Sequence, residues 1–474
     1  MMMQTSLFAN AVGAGNFLLD TDSYKYSHPQ QFPDKTEQVF AYIEPRRGDG
    51  EIDEVLFFGL QIELAKLAGQ VITQEMLDEA APFITAHGLT LYVEMFQHII
   101  DVHNGRLPVQ IDALPEGTIA PVSIPQLRIV NTDPKCWALP GFLETRLLRA
   151  VWYPSTVATI SNHIMRKIRD RLIQTDGSDQ GLAFKLHDFG ARGATSLESA
   201  AIGGAAHLVN AMGTDTIAGV VLARNVYGAD TAGFSIPATE HSTVTSFGPK
   251  GELAFMRQFL RGNPTGVIAC VSDSYDLMRA VREYWGGELR TQVLARDGVL
   301  VVRPDSGDPL QIVPDVIEGL MEKFGHQMTA NGFRILPDQV RVIQGDGVDK
   351  VSIVQIMDKM IDRGLAIGNI AFGMGGGLLQ KLDRDTFSYS MKTSAIRVNG
   401  CWRDVFKDPV TAKGSKTSKK GRIGVMRTDG GKFVMRLQAN ILPGHEALET
   451  VFRNGEIVKF QSFDDIRARV GLIG

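Results

Sequence analysis

The chain reads as an α/β protein: an irregular β/α barrel-like domain plus a second α+β domain built from both chain ends. Two observations carry this. The first is three continuous apolar runs that stop abruptly in Gly, Asp or Arg: VLVVRPDSGD (299–308), VRVIQGDG (340–347) and IAFGMGGG (370–377). Apolar runs without alternation suit strands buried on both faces, as in a parallel sheet. The second is a rhythm that begins near residue 181. Strand-end positions His187, Asp215, His241, Ser272, Arg303, Gly345 and Gly375 follow one another at 28, 26, 31, 31, 42 and 30 residues. One strand–helix unit of a barrel takes roughly 30 residues. An open doubly wound sheet competes, and spacing alone does not exclude it.

The segments between these runs read as helices. TSLE at 195–198 has the pattern of a capping box, and AAIGGAAHLV follows it. Gly203 and Gly204 would weaken an exposed helix, so close packing is expected there. LMRAVREYW follows Asp276 as a helix, with Gly286 as its stop. Residues 1–150 differ: strand-like QVFAYIEPR, LPVQIDAL and TIAPVSIP alternate with helical VLFFGLQIELAKLAG. Past residue 395, RIGVMRTDGGKFVMRL reads as a hairpin turned at 429–431. The expected domains are therefore 1–150 with 395–474, and 151–394.

Composition removes several functions. Basic residues number 49 and acidic ones 53, a net charge of −4, which argues against a dedicated nucleic-acid binder. Cys136, Cys270 and Cys401 lie far apart, with no CxxC pair or Cys/His cluster, so neither a disulfide framework nor a zinc site is expected. No run approaches the ~20 apolar residues of a membrane span. The first residues lack a basic and apolar leader pattern. A cytoplasmic location is expected.

In parallel α/β folds the ligand sits beyond the carboxyl ends of the strands. Arginine, carboxylates and bare backbone amides at those ends suit a phosphorylated sugar. Arg303 and Asp305 in RPDSGDP, with Asp346 in QGDG, can hold sugar hydroxyls, since a carboxylate accepts several hydrogen bonds; loop capping is the alternative. GMGGG at 373–377, followed by LLQKL, lets backbone amides and a helix N-terminus approach phosphate. HDFG at 187–190 lacks the context of a kinase. Phe189 there either fills the core or lies against a flat ring, with Arg192 near for an anion. His241, flanked by Glu240 and Ser242, can act as base, acid or phosphate-accepting nucleophile. The lysine-rich segment 407–422 reads as a solvated loop that can also close over a polyphosphate.

TDSYK, KLHDFGARG, GTDT, EHST, SDSYD, RPDSG, QGDGVD and FGMGGGLLQK occur in this order over nearly the whole chain. With them the sequence resembles the nicotinamide phosphoribosyltransferases, of the type II phosphoribosyltransferase family. The resemblance implies a barrel-like domain with a second domain, homodimers with active sites at the subunit interface, and NAD salvage. It implies that nicotinamide and 5-phosphoribosyl-1-pyrophosphate give nicotinamide mononucleotide and pyrophosphate, with Mg²⁺, and with ATP as co-substrate. By motif, Phe189 and Tyr24 would sandwich the pyridine, Tyr24 coming from the partner subunit. Asp215 would accept the carboxamide N–H, and Arg303 would reach the base. Asp305 would hold ribose hydroxyls; Gly345, Asp346, Gly375, Gly376 and Arg384 would surround the ribose and its phosphate, with Ser272 in the same site. Arg46, Arg192, Lys392 and Lys407 would face phosphate oxygens. His241 would be phosphorylated by ATP, supported by Glu240 and Asp276. Nicotinate phosphoribosyltransferase is the rival, and Asp215 argues against it, because it would face the carboxylate of nicotinate.

Overall fold

The structure is a computed structural model that describes residues 15–409 and 418–473. Its contacts divide the chain into two compact units, Met1–Thr156 with Asp383–Arg469, and Val157–Leu382 with Val470–Gly474. The expected edge at 150 falls inside one continuous helix, Glu144–Asp176. The expected edge at 394 falls inside the strand Ser390–Val398, which belongs to the first unit because it pairs with Thr36–Glu44.

The first unit is built on a seven-stranded sheet, ordered Cys401–Asp404, Ser390–Val398, Thr36–Glu44, Leu127–Asn131, Val109–Ala113, Glu449–Arg453, Glu456–Ile457. Every pairing in it is antiparallel. Helices Leu60–Gly69, Gln74–Ala86 and Val93–His103 supply apolar residues to one large core with Phe57, Phe96, Ile129, Leu147 and Phe452. The expected helix VLFFGLQIELAKLAG divides: Glu54–Leu56 is a strand and the helix begins at Leu60. Gly59 separates them. Its φ is +100, and a Cβ there would lie 2.3 Å from Pro154 Cγ. The expected hairpin forms, with Ile423–Arg427 paired to Phe433–Leu437 and Gly431 at φ 77 in the turn.

The second unit holds a curled six-stranded sheet, all parallel. Its order is Gly213–Thr214, Leu186–Asp188, Ile370–Met374, Val340–Gln344, Asp297–Arg303, Thr265–Val271. Residues 234–238 touch both edge strands through single parallel bridges, Gly213 to Phe234 and Ala238 to Ala269. This irregular segment stands where a further strand would complete the ring. Both faces of the sheet are buried, as the unbroken apolar runs require. Leu300, Val302, Val342 and Phe372 are fully buried. Ala269, Val301 and Ile343 form a separate cluster with Phe189 and Ile236.

The helices of this unit correct three local expectations. The capping box opens one residue later than expected, with Ser196 as N-cap and Ser199 as its partner, because the Ser199 hydroxyl accepts from the Ser196 N–H. Gly204 does serve close packing: a Cβ on Gly219 would lie 2.6 Å from the Gly204 carbonyl carbon. Gly286 does not stop a helix. It lies inside the π-helix Ala280–Glu288, where a Cβ would meet Lys323 Cβ at 2.5 Å. The wide turn seats the buried Trp285, whose indole N–H donates to Ser272 Oγ.

Candidate active site

Six parallel strands end together, and the residues after them form one cluster within the second unit. Phe189 follows Leu186–Asp188, and its N–H donates to the Met374 carbonyl at 3.0 Å. Its ring lies across the neighbouring strand ends. A Cβ on Gly373 would fall 1.9 Å from Phe189 Cε2, and one on Gly345 would fall 3.2 Å from the same atom. Two glycines thus make the bed on which the ring rests. Half-buried, Phe189 both closes the small barrel cluster and offers a face.

Asp215 stands in register beside it, because Asp188 pairs with Thr214 and the Asp215 N–H donates to the Asp188 carbonyl. The exposed Asp215 carboxylate accepts from Ser235 through Oδ1, at 2.5 Å. Asp188 itself is buried, with Oδ1 accepting from the Gly190 N–H at 2.7 Å. Burial, with some help from the nearby Asp215 charge, lifts its carboxyl from 3.8 to about 6.

His241 opens a short helix, His241–Thr245, with Glu240 as its N-cap residue. Its Nε2 lies 3.3 Å from Asp305 Oδ2 and 3.7 Å from Asp273 Oδ1, and Nδ1 lies 3.2 Å from Ser274 Oγ. The imidazole is 46% exposed, while the Asp273 side chain is 3% exposed. Asp273 Oδ2 accepts from the Asp305 N–H at 3.0 Å and the Ser306 hydroxyl at 2.5 Å. It therefore fixes the RPDSG loop and faces the histidine at once. Asp273 is not among the expected site residues, although it lies within the motif SDSYD. Of the two aspartates in that string, Asp276 caps the next helix by accepting from the Arg279 N–H, and Asp273 does the organising. Asp273 Oδ1 and Arg303 Nε are both buried without a hydrogen-bond partner. Such a group costs about 1–3 kcal/mol until a partner arrives, which favours a polar ligand here.

Other expected residues fall into place less uniformly. Arg303 reaches Asp305 at 3.6 Å. Gly345 and Asp346 follow Val340–Gln344, and the Asp346 carbonyl accepts from the Gln344 amide. Gly375 and Gly376 follow Ile370–Met374, but the helix after them is a single turn, Gly376–Leu379. Its dipole is correspondingly weak, so individual amides matter more than the helix. Arg192 is exposed on the turn Ala191–Gly193, and a Cβ on Gly193 would lie 3.4 Å from Gly376 Cα. Ser272 does not join the cluster. It is fully buried, donating to the Cys270 carbonyl and accepting from Trp285. Glu240 takes the Ser242 hydroxyl rather than His241.

The remaining expected residues belong to the first unit. Lys392 is pushed down by burial and then by the charges of Arg46, Lys407 and Lys25, against an opposing pull from Glu144. These cations are thus neighbours, and a bound polyanion would relieve their repulsion. Lys25 and Lys419 are already paired, with Glu144 and Glu44. Lys407 and Ser418 bind each other through N–H to Oγ and N–H to carbonyl contacts, tying two ends of the lysine-rich segment. Lys413 and Lys416 lie outside the described residues. Arg384 is exposed beside Asp385, and Tyr24 is 55% exposed, edge-on to His28.

Comparison with known proteins gives the family. Residues 184–456 match the model of the nicotinate phosphoribosyltransferase (NAPRTase) family, and residues 16–111 match that of the nicotinamide phosphoribosyltransferase N-terminal domain. The chain is 45% identical to a nicotinamide phosphoribosyltransferase of Xanthomonas campestris, over 96% of this chain and 97% of that one. It is 31% identical to one of Acinetobacter baylyi, over 95% and 96%. The fold is similar to the crystal structure of nicotinate-nucleotide pyrophosphorylase from Pyrococcus furiosus, with TM-score 0.60 at 18% identity, covering 96% of this chain and 94% of that one. The chain belongs to the nicotinate phosphoribosyltransferase family of type II phosphoribosyltransferases, within its nicotinamide phosphoribosyltransferase group, and is a pentosyltransferase.

Proposed function

We propose that the protein joins nicotinamide to 5-phosphoribosyl-1-pyrophosphate, giving nicotinamide mononucleotide and pyrophosphate in NAD salvage, and couples this to ATP hydrolysis through a phosphohistidine at His241. The observation that carries the coupling is the pair of carboxylates beside one face of an exposed imidazole. Asp305, whose Oδ2 is the nearer carboxylate oxygen at 3.3 Å, favours a proton on Nε2, with the Asp273 charge behind it at 3.7 Å; this leaves the Nδ1 lone pair toward Ser274 and solvent. Nδ1 attacks the γ-phosphorus of ATP, the bond to the bridging oxygen breaks, and ADP departs. The carboxylates stabilise the positive charge the ring acquires, as in other histidine–carboxylate pairs.

In the transfer itself the pyridine lies on Phe189, with its carboxamide N–H donated to Asp215. That carboxylate would repel the carboxylate of nicotinate, so nicotinamide is preferred. The pyridine nitrogen attacks the anomeric carbon as pyrophosphate leaves, through an oxocarbenium-like state. Arg303 and Asp305 hold base and ribose, and Gly345, Asp346, Gly375, Gly376 and Arg384 surround ribose and phosphate. Arg192, Arg46, Lys392 and Lys407 offset the charge of the departing pyrophosphate. The second face of the pyridine is covered by Tyr24 of the partner subunit in a homodimer. Magnesium suits this carboxylate-bearing cluster, where Asp273 has a buried oxygen without a hydrogen-bond partner and Asp305 lies beside it. When bound with the diphosphate, it neutralises phosphate charge.

Incubation with γ-labelled ATP should leave one acid-labile, base-stable phosphate per active site. His241→Ala should lose that label and the ATP stimulation while keeping some basal synthesis. ATP stimulation that survives His241→Ala removes the phosphohistidine from the account.

A further inference from the structure

The first unit contains a second cluster that catalysis does not use. His98 and His103 lie on the helix Val93–His103, five residues apart, and Cys136 ends the 3₁₀ turn Pro134–Cys136 that Asp133 caps. The sequence showed no Cys/His cluster because these ligands lie on two distant segments. The fold gathers them. One ligand atom from each of His98, His103, Asp133 and Cys136 lies within 4.8 Å of all the others.

The details favour an ion over a simple hydrogen-bonded clasp. Asp133 Oδ1 is occupied, accepting from the Lys135 N–H at 2.8 Å. Oδ2 faces Nε2 of His98 at 2.9 Å and Nε2 of His103 at 2.8 Å. Two imidazole nitrogens therefore converge on one oxygen, with a fully buried sulfur beside them. A backbone N–H fixing the far oxygen of a ligating carboxylate is the outer support that metal sites employ. The spacing Asp133-x-x-Cys136 is that of a zinc knuckle with a carboxylate in place of one thiolate. Zinc–nitrogen and zinc–sulfur bonds of about 2.0–2.3 Å place ligand atoms roughly 3.3–3.8 Å apart. Closing around an ion would then draw the outermost of these atoms inward by about 1 Å.

We propose that His98, His103, Asp133 and Cys136 form a four-coordinate structural site for Zn²⁺, separate from the strand-end cluster of the second unit. Thiolate and carboxylate together balance the charge of the ion, and two imidazoles complete the set. With four protein ligands the site has no open position, so its role is to fasten the helix Val93–His103 to the turn at 133–136.

The test uses the full-length protein, stripped with chelator under reducing conditions and titrated with Co²⁺. The expected result is one ion per chain, with tetrahedral ligand-field absorption and a thiolate-to-cobalt charge-transfer band, both displaced by Zn²⁺. Cys136→Ser should lose the charge-transfer band. His103→Gln, at a less buried position, should weaken binding by at least about tenfold and abolish the rise in Tm that Zn²⁺ gives the wild type. A wild-type chain that binds no Co²⁺, or binding unchanged by both substitutions, would show a hydrogen-bonded clasp only and overturn the proposal.

Discussion

Asp188 shows how a single buried carboxyl sets local chemistry. It sits at the end of its strand, holds the Gly190 N–H, and has no hydrogen-bond partner for its second oxygen. Its folded value, about 6 against 3.8, means the folded state binds more protons than the unfolded chain between those values. Stability from this group is therefore greatest at low pH and falls as pH rises from about 4 through about 6. Asp188→Asn keeps the acceptor for Gly190 and cannot ionise. The stability difference between variant and wild type, measured by denaturant at several pH values, should grow in the variant's favour over that window. A flat difference would refute the buried-carboxyl reading. Asp215, one strand away, acts on substrate choice. Asp215→Asn removes the charge that opposes nicotinate, so the nicotinamide-to-nicotinate preference should fall by about tenfold or more, read as the ratio of kcat/KM values. An unchanged ratio would remove Asp215 from the specificity argument.

At the scale of elements, the strand ends were legible and their glycines only partly so. A continuous apolar run ending in charge or glycine announced Asp297–Arg303, Val340–Gln344 and Ile370–Met374. Which glycine does what depends on a neighbour far away in sequence. Gly373 has no room for a Cβ because Phe189, on the adjacent strand, lies over it. Gly286, expected to end a helix, is instead pressed against Lys323. Gly373→Ala should displace the Phe189 ring, at a cost of about 1–3 kcal/mol in stability, and raise KM for nicotinamide more than it lowers kcat. If structure and KM stay as in the wild type, the ring does not form the pyridine platform. Asp273 was missed for a related reason. Its position two residues past Thr265–Val271 is visible, but its hold on Asp305 and Ser306 needs the parallel pairing of that strand with Asp297–Arg303.

For the whole molecule, fold class was readable from periodicity, whereas the domain edge was not. The helix Glu144–Asp176 runs through the expected boundary without a break, although it contains Pro154. Pro154 packs against the space left by Gly59, a pairing 95 positions apart that no local signal marks. The four ligands of the proposed zinc site are hidden in the same way. Among the described residues no helix is long and apolar enough to cross a membrane. The shared site proposed for the dimer makes a test at this scale possible. Tyr24→Ala and Phe189→Ala should each be nearly inactive alone. Co-expressed, they should regain activity, because one site of each mixed dimer has both rings intact. Failure to complement would mean that the two rings do not meet across a subunit interface.

The most direct measurement is a competition. The purified protein receives 5-phosphoribosyl-1-pyrophosphate, Mg²⁺ and equal nicotinamide and nicotinate, with and without ATP, and the products are resolved by mass. Nicotinamide mononucleotide is the expected main product, rising with ATP. Nicotinic acid mononucleotide as the main product, or synthesis indifferent to ATP, would contradict the proposed function.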